Sequence, residues 1–240
     1  MKLVFISDLH LSSNTIDKNQ IFYQLLNHLN GNIDGLYILG DFFDHWLGDD
    51  DMTPFAIEMI SHLRSFAKNT PTYFRGGNHD FAVGKDFSKK TNIKLIPDMH
   101  ALHTDTHKIL LSHGDTFCTL DVGYQKMKKI IQNKFVVWLL LKTPLSWRYK
   151  IKEKMEQGSK HSNKVPKPDY IYNVVNNSII EYANKYGADT IIHGHTHHPN
   201  HYIINDKLQR YETPDWEDNP AGAYLLYNDG IFSFENVNIQ

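Results

Sequence analysis

The sequence predicts an α/β fold, and three observations support this prediction. Short apolar runs typical of buried strands alternate with segments of helical periodicity. Five of these runs end in Asp, Asn or His, often beside glycine. The chain of 240 residues is 41% hydrophobic and has one cysteine, which allows a sizeable core but no disulfide framework or cysteine-rich zinc site. We therefore expect one domain over residues 1–240, with an insertion at about 121–168.

The strands are predicted from the short apolar runs, in chain order. The runs that end in polar residues are Lys2–Ile6, Gly35–Leu39, Thr72–Arg75, Lys108–Ser112 and Thr190–Ile192. Three later runs predict closing strands at Tyr202–Ile204, Ala223–Tyr227 and Ile231–Glu235, and Asn228-Asp229-Gly230 predicts a hairpin between the last two. Ligands of open α/β sheets bind beyond the carboxyl ends of the strands, so the polar ends indicate a functional site.

The helices are predicted from apolar spacing, over Gln20–Leu29, Ala56–Ala67 and Tyr170–Tyr186. No long apolar segment stands near the N-terminus, so we expect no cleavable secretory signal. The longest apolar run, Phe135–Leu141, has seven residues and is too short to span a membrane. These features predict a soluble or peripheral protein.

The segment 121–168 differs from the rest of the chain in charge. It has twelve basic and three acidic residues, a local net charge of +9 in a chain whose net charge is −2. Such a segment indicates an anionic partner (a phosphate, a nucleic acid or a membrane surface), the alternative being a solvated helical face.

The same segment predicts a helical lid. Thr143-Pro144 divides it into two helices, because proline ends one helix and can begin the next. In the second helix an apolar stripe, at Trp147, Ile151 and Met155, lies among four basic residues, Arg148, Lys150, Lys152 and Lys154. We expect a helical hairpin with an apolar inner face and a basic rim; alternatively, the stripe packs the hairpin against the body.

The polar strand ends carry the chemistry. They read Asp8-Leu9-His10, Gly40-Asp41, Gly77-Asn78-His79-Asp80, His113-Gly114 and Gly194-His195-Thr196-His197. Each is a weak signal alone, but together they supply oxygen and imidazole donors without a thiolate, a set suited to Mn²⁺, Fe²⁺ or Zn²⁺. The seven candidate ligands exceed the needs of one ion, so we expect two ions that share a carboxylate. The alternative is a set of satisfied polar groups in the core.

The order of these five blocks resembles that of the calcineurin-like metallophosphoesterases. The resemblance implies an αββα sandwich with a dinuclear metal site. One metal would be bound by Asp8, His10, Asp41 and His197, and the other by Asp41, Asn78, His113 and His195, with Asp41 bridging. It also implies catalytic roles for His79 and Asp80, with Asp80 orienting His79 so that the imidazole stabilises developing charge or protonates the leaving oxygen.

Longer blocks are similar to one branch of that family, the UDP-2,3-diacylglucosamine diphosphatases, which release UMP and 2,3-diacylglucosamine 1-phosphate. These blocks are Gly40–Asp50, Gly77–Phe81, His113–Thr119 with Asp121 and Tyr124-Gln125, and His193–Pro199. The substrate contacts that the branch implies are Asn78, His79, Asp121, Ser159, Asn163, Lys167 and His195, where the match at Lys167 needs a one-residue gap. The branch further implies two divalent ions, which we expect to be Mn²⁺, and a cytoplasmic monomer at the inner-membrane surface.

Two positions depart from that branch, and other functions remain open. His79 stands where the branch commonly has Arg, and Asp215-Trp216 followed by Gly222 matches the branch only loosely. The alternatives are another metal-dependent phosphodiesterase or nucleotide pyrophosphatase, a scaffold protein that keeps the fold, and a nuclease. We expect no nucleic-acid partner, because Trp138, Trp147 and the apolar run stand among the lysines of the insertion, a pattern more typical of a lipid-contacting face.

Overall fold

Two β-sheets form the centre of the protein in a computed structural model that describes residues 1–162, 168–217, 219 and 221–237. The six-stranded sheet has the order β11-β10-β1-β2-β3-β4 and the five-stranded sheet the order β5-β6-β7-β9-β8. The strands are β1 Lys2–Ile6, β2 Gly35–Ile38, β3 Thr72–Phe74, β4 Lys94–Leu95, β5 His100–His103, β6 Lys108–Leu111, β7 Thr190–His193, β8 Asn200–Asn205, β9 Leu208–Glu212, β10 Ala223–Asn228 and β11 Ile231–Asn236.

Each of the eight predicted strands is present, to within a few residues at its ends. The predictions missed β4, β5 and β9. β4 has two residues, and β5 and β9 contain polar or charged residues that weaken the apolar signal. In the first sheet β1, β2 and β3 run parallel, as do β6 and β7 in the second. The polar blocks therefore lie at the carboxyl ends of three strands in the first sheet and of two strands in the second.

Seven α-helices are described: α1 Ile16–Leu29, α2 Pro54–Phe66, α3 Lys85–Thr91, α4 Val122–Ile131, α5 Lys134–Leu141, α6 Leu145–Ser162 and α7 Asn176–Tyr186. α2 begins two residues before the prediction, because Pro54 suits the first turn and the Thr53 hydroxyl accepts a hydrogen bond from the Ala56 amide. The prediction of one helix over Tyr170–Tyr186 is wrong. Val175 has an extended backbone, so α7 starts at Asn176, and residues 169–171 form a separate 3₁₀ turn.

The layers follow from the alternation of side chains along the strands. In β1, Val4 and Ile6 pack with α1, α2 and α3, while Leu3 and Phe5 face the second sheet. In the second sheet, Ile109 and Leu111 face inwards, and Leu110 packs on the other side with Ile179 and Ala183 of α7. The molecule is therefore a helix–sheet–sheet–helix sandwich, which confirms the predicted αββα architecture.

The described part of the insertion, residues 121–162 and 168, contains three helices rather than the predicted hairpin of two. The break at Pro144 is present, but a second break separates α4 from α5, because the Asn133 side chain caps α5 by accepting from the Phe135 amide at 2.9 Å. Within the described residues, no helix is both long enough and apolar enough to traverse a bilayer.

The exposure of the apolar stripe of α6 decides between the two interpretations of it, and the basic rim differs from expectation at one residue. Trp147 is 61% exposed, and Ile151 and Met155 are exposed as well, so the alternative that the stripe packs against the body is wrong. Arg148 does not belong to a solvent-facing rim. It is 3% exposed, donates to Asp50 Oδ1 at 2.7 Å and to the Leu47 carbonyl at 2.6 Å, and so attaches α6 to the loop after β2.

Candidate metal centre and active site

Five of the seven candidate ligands lie on strained backbone at the strand ends. The φ angles are 55° at Asp8, 48° at His10, 50° at Asp41, 79° at His195 and 55° at His197. Residues other than glycine rarely adopt backbone angles in this left-handed region. Strained residues of this kind concentrate at functional sites. The shared strain indicates that the strand ends are shaped to aim these side chains.

Asp41 lies between two imidazoles. Its Oδ1 accepts a hydrogen bond from the His79 amide at 2.9 Å. Its Oδ2 lies 4.0 Å from His10 Nε2 and 3.6 Å from His113 Nε2. One carboxylate oxygen is therefore held by backbone while the other faces donors on both sides, which is the arrangement that a bridging ligand requires.

Asp8 divides its two oxygens in the same way. Oδ2 accepts from the His195 amide at 2.9 Å and from the Ser7 hydroxyl, whereas Oδ1, in a fully buried side chain, accepts no hydrogen bond from the described residues. Oδ1 lies 3.6 Å from His197 Nε2. An unpaired carboxylate oxygen in the interior is costly unless a cation satisfies it.

His113 is fixed as a ligand by its second ring nitrogen. Nδ1 lies 2.9 Å from the Leu39 carbonyl oxygen, which can only accept, so Nδ1 carries the proton. Nε2 then presents a lone pair 3.0 Å from Asn78 Oδ1, another lone-pair donor. A cation bound by both atoms satisfies this pair.

Glycines allow the close approach of the ligand loops. A Cβ on Gly77 would lie 2.1 Å from Asp41 Oδ1, and a Cβ on Gly194 would lie 2.1 Å from Asp8 Oδ2. Any other residue at either position would displace a ligand carboxylate.

The pKa values of these residues suit a site that binds cations. Burial lowers the pKa of His10 to about 3 and that of His195 to about 4, so both imidazoles are neutral and able to ligate. Burial, with Asp80 and Asp8 nearby, raises the pKa of Asp41 well above its usual range. The Asp8 carboxylate, whose Oδ1 lies 3.6 Å from His197 Nε2, raises the pKa of His197 to about 9. The donor set, the unpaired Asp8 oxygen and the crowded carboxylates therefore fit divalent metal ions.

Two groups of donors correspond to the two expected ions. Asp8, His10 and His197 form one group and Asp41, His113 and His195 another, and the donor atoms within each group lie within 4.8 Å of one another. The His197 ring is flanked on its Nδ1 side by Asp215 Oδ1 at 4.0 Å and Glu217 Oε2 at 3.9 Å, carboxylates that orient a ligating imidazole.

The expectation that Asp80 orients His79 is wrong. Both Asp80 oxygens accept hydrogen bonds from backbone amides, those of Asp41, Phe42, Phe43 and Gly77, at 2.6–3.2 Å. The buried carboxylate thus holds the Asp41 turn against the Gly77 turn. Its role is to position ligands, and no contact places it at the reacting atoms.

His79 is oriented instead by the loop after β2. Its Nδ1 donates to the Asp44 carbonyl at 2.8 Å, and its ring stacks on His45 with centroids 5.6 Å apart. On the other side, the His79 ring meets His10 edge-on at 4.8 Å. His79 therefore borders the metal centre with Nε2 as its remaining ring nitrogen.

Glu212, which sequence reasoning missed, holds the loop of His195 and His197. Its Oε1 accepts from the Thr196 hydroxyl at 2.5 Å and from the His198 amide at 2.9 Å, so one oxygen ties down both neighbours of His197. Burial raises the pKa of Glu212 to about 7. No local motif could have revealed this contact, because Glu212 ends β9, one of the strands that were not predicted.

A second buried network lies beside His195. Asp115 accepts from the Tyr124 hydroxyl at 2.8 Å and lies 2.8 Å from Lys128 Nζ, while the Tyr124 and His195 ring centroids are 5.9 Å apart. Asp121 caps α4 by accepting from the Tyr124 amide at 3.1 Å. The first helix of the insertion is therefore bonded into the body at the edge of the site.

The expected substrate contacts lie in different parts of the chain. Asn78, His79 and His195 belong to the centre, and Asp121 lies on the flank of His195 just described. Ser159 lies in α6. Asn163 and Lys167 lie outside the described residues.

Comparison with known proteins gives a consistent result. Residues 1–199 match the model of the calcineurin-like phosphoesterase family. A UDP-2,3-diacylglucosamine hydrolase of Chromobacterium violaceum is 37% identical over 230 residues, which cover 96% of each chain. The enzyme of the same name from Shewanella loihica is 36% identical over 99% of this chain and 95% of its own. That of Coxiella burnetii is 37% identical over 99% and 98%.

Among solved structures, an archaeal phosphodiesterase superposes with a TM-score of 0.51 over 98% of this chain and 99% of its own. The two sequences are 14% identical, so this likeness concerns the fold.

Proposed function

The chain belongs to the calcineurin-like phosphoesterase family and, within it, to the UDP-2,3-diacylglucosamine hydrolases, and on that premise we propose that it hydrolyses the pyrophosphate bond of UDP-2,3-diacylglucosamine. The products are UMP and 2,3-diacylglucosamine 1-phosphate. The observation that carries the proposal is the pair of ligand groups around Asp41, together with identity to relatives of that name along nearly the whole chain. The fold that the relatives share would not by itself identify the substrate.

The roles of the residues follow from their positions. Asp41 would be shared between two ion sites, of which Asp8, His10 and His197 would complete one and Asn78, His113 and His195 the other. Divalent ions held by these residues would supply charge neutralisation for the substrate phosphates and lower the pKa of a water molecule for the attack. His79 Nε2 borders the centre, where it stabilises the charge that develops on the pyrophosphate. The leaving group is itself a phosphate, so the demand for a general acid is modest.

A substrate panel tests this function against its alternatives. Purified protein loaded with Mn²⁺ is assayed on UDP-2,3-diacylglucosamine, ADP-ribose, cyclic AMP and bis-p-nitrophenyl phosphate. We expect the highest kcat/KM on UDP-2,3-diacylglucosamine. Preference for ADP-ribose or cyclic AMP would support the nucleotide pyrophosphatase or phosphodiesterase alternative, and no hydrolysis of any of them would support a scaffold.

We further propose that Mn²⁺ is the working metal, because the ligand set contains four imidazoles and Mg²⁺ prefers oxygen ligands. Activity removed by a chelator should return more fully with Mn²⁺ than with Mg²⁺. Metal analysis of Asn78→Ala, which lacks one neutral ligand, should show the loss of about one equivalent rather than two. Equal rescue by Mg²⁺ would argue against Mn²⁺.

The location and assembly of the protein are also proposals: a monomeric single domain in the cytoplasm, peripheral at the inner membrane. α5 supports the membrane contact, since Phe135 and Trp138 are 67% and 54% exposed and none of its residues is buried. Lys134 and Lys142 flank this apolar run in the sequence, and each lysine near an anionic leaflet contributes about 1 kcal/mol. We propose that the insertion also receives the acyl chains, with Ser159, Asn163 and Lys167 as substrate contacts.

A further inference from the structure

A cavity of about 190 Å³ lies beside the metal centre, between the body and α6. Three segments line it: the loop after β1, with Ser12 and Asn14; the loop after β2 and the start of α2, with His45 and Phe55; and α6, with Tyr149 and Lys152. Arg148 and Asp50 hold α6 against the body at this place, so the cavity has a fixed wall on each side.

The cavity lies on one particular flank of the centre. A series of rings leads to it from the first ion site, with centroid distances of 4.8 Å from His10 to His79 and 5.6 Å from His79 to His45. The second ion site has different ring neighbours, with centroid distances of 5.0 Å from His113 to His195 and 5.9 Å from His195 to Tyr124. The two flanks meet at Asp41, whose Oδ2 faces both sites.

The substrate of the proposed function also has two halves, joined by the pyrophosphate. With the pyrophosphate at the metal centre, the halves must leave in different directions. The flank of His195 continues to Asp121 and α4, the first helix of the insertion, and we assign the sugar half of the substrate to this side. The flank of His45 is then left for the nucleoside.

We propose that this cavity is the subsite for the uridine half of the substrate, an inference that rests on the proposed function. Its volume is below the range of about 300–1,000 Å³ typical of sites for larger ligands, so it suits a single small ring system rather than two acyl chains.

The lining supplies the chemistry that a pyrimidine needs. The rings of His45, Phe55 and Tyr149 offer surfaces against which a planar base can pack. The edge of uracil presents two acceptors and one donor, and the Asn14 amide can both donate and accept. The Lys152 ammonium adds a cation for the nucleotide phosphate.

The test measures binding of UMP to the full-length, Mn²⁺-loaded protein by isothermal titration calorimetry. Asn14→Ala and Lys152→Ala should each raise the Kd of UMP about five- to tenfold, the size expected for one lost polar contact. Asn27→Ala and Lys68→Ala, at exposed positions of α1 and just after α2, are the matched controls and should leave it unchanged. The inhibition constant of 2,3-diacylglucosamine 1-phosphate should change less than twofold in the cavity variants.

A second probe does not depend on any variant. The wild-type protein should bind UMP at least tenfold more tightly than ribose 5-phosphate, which lacks the base. Equal binding of the two would overturn the subsite, as would an unchanged Kd of UMP in both cavity variants. A raised inhibition constant for the lipid product instead would show that the cavity takes the sugar.

The outcomes also separate this subsite from the proposed function. Cavity-dependent binding of UMP without cleavage of UDP-2,3-diacylglucosamine would overturn the function and keep a nucleotide subsite. Cleavage of that substrate with cavity-independent binding of UMP would keep the function and overturn the subsite.

Discussion

The metal centre and the insertion are built in opposite ways. At the centre, buried carboxylates hold the ligand loops through backbone amides, as Asp80 does for the Asp41 turn and Glu212 for the loop of His197. In the insertion, α5 has no buried residue, and the large side chains of α6 at Trp147, Ile151 and Met155 are exposed. Buried polar contacts fix the first region, whereas the second leaves its apolar surface uncovered.

Under the proposed function, this difference fits catalysis at the centre and contact with lipid at the insertion. Catalysis needs groups held in place before the substrate arrives, and the strained backbone at the strand ends shows that the fold supports such positions. A surface for lipid needs exposed apolar area and tolerates imprecise packing. Variants of the centre should therefore change metal binding and turnover, while variants of the insertion should change the interaction with lipid.

The largest effect is expected from Asp41→Ala. The variant removes the oxygen that faces both ion sites, so both metal equivalents should be lost and hydrolysis of bis-p-nitrophenyl phosphate should fall to background. Metal content by mass spectrometry and the hydrolysis rate are the measurements, with the exposed Asp17→Ala on α1 as control. Retention of one full equivalent would show that Asp41 does not bridge.

A smaller loss is expected from His79→Ala. The imidazole borders the centre without belonging to the expected ligand set, so kcat should fall about 10²-fold, the low end for a proton-transfer residue, because the leaving group is a phosphate. Metal content should remain that of the wild type. A loss as large as that of Asp41→Ala would argue against a mainly electrostatic role.

Glu212 provides a test of positioning at the centre. Glu212→Ala removes the acceptor for Thr196 and His198 and should weaken metal binding about 10–100-fold, as for other residues that support ligands. Glu212→Gln keeps a carbonyl oxygen that can accept both hydrogen bonds, so it should restore most of the affinity. Metal titration of both variants decides this, and equal weakening by Gln would mean that the charge matters more than the hydrogen bonds.

More of the metal centre than of the insertion could be predicted from the sequence, and the reason is physical. Asp8, His10, Asp41 and the others stand at the ends of apolar runs, so local sequence marks them before any contact is known. Glu212 and Arg148 act through contacts distant in sequence, at 14–16 residues for Glu212 and 98–101 for Arg148, and carry no local signal. The same limit applies to Asp80, whose motif indicated catalysis although its contacts are to backbone amides.

The insertion should respond to changes of its exposed apolar side chains. The double variant Phe135→Ser/Trp138→Ser should lower partition onto anionic vesicles at least about tenfold, since each large apolar side chain contributes a few kcal/mol when buried in lipid. Vesicle flotation measures this, with Ile231→Ser as control because Ile231 is 72% exposed on β11. Metal content should not change, and equal loss in the control would contradict a role specific to α5.

The smallest effect concerns the attachment of α6 to the body. The hydrogen bond with Arg148 lowers the pKa of Asp50 below its usual 3.8, so the pair stabilises the folded state at neutral pH. A carboxyl with a lowered folded pKa loses this contribution only as the pH falls below its unfolded value and through the folded one. Asp50→Asn should therefore lower Tm by a few degrees at pH 7 and by progressively less below about pH 4. Asp50 is largely exposed, which keeps the effect small. A Tm difference that stays constant down to acid pH would show that the ionised carboxylate of Asp50 is not its source, and no Tm difference at pH 7 would show that the Leu47 carbonyl alone holds Arg148.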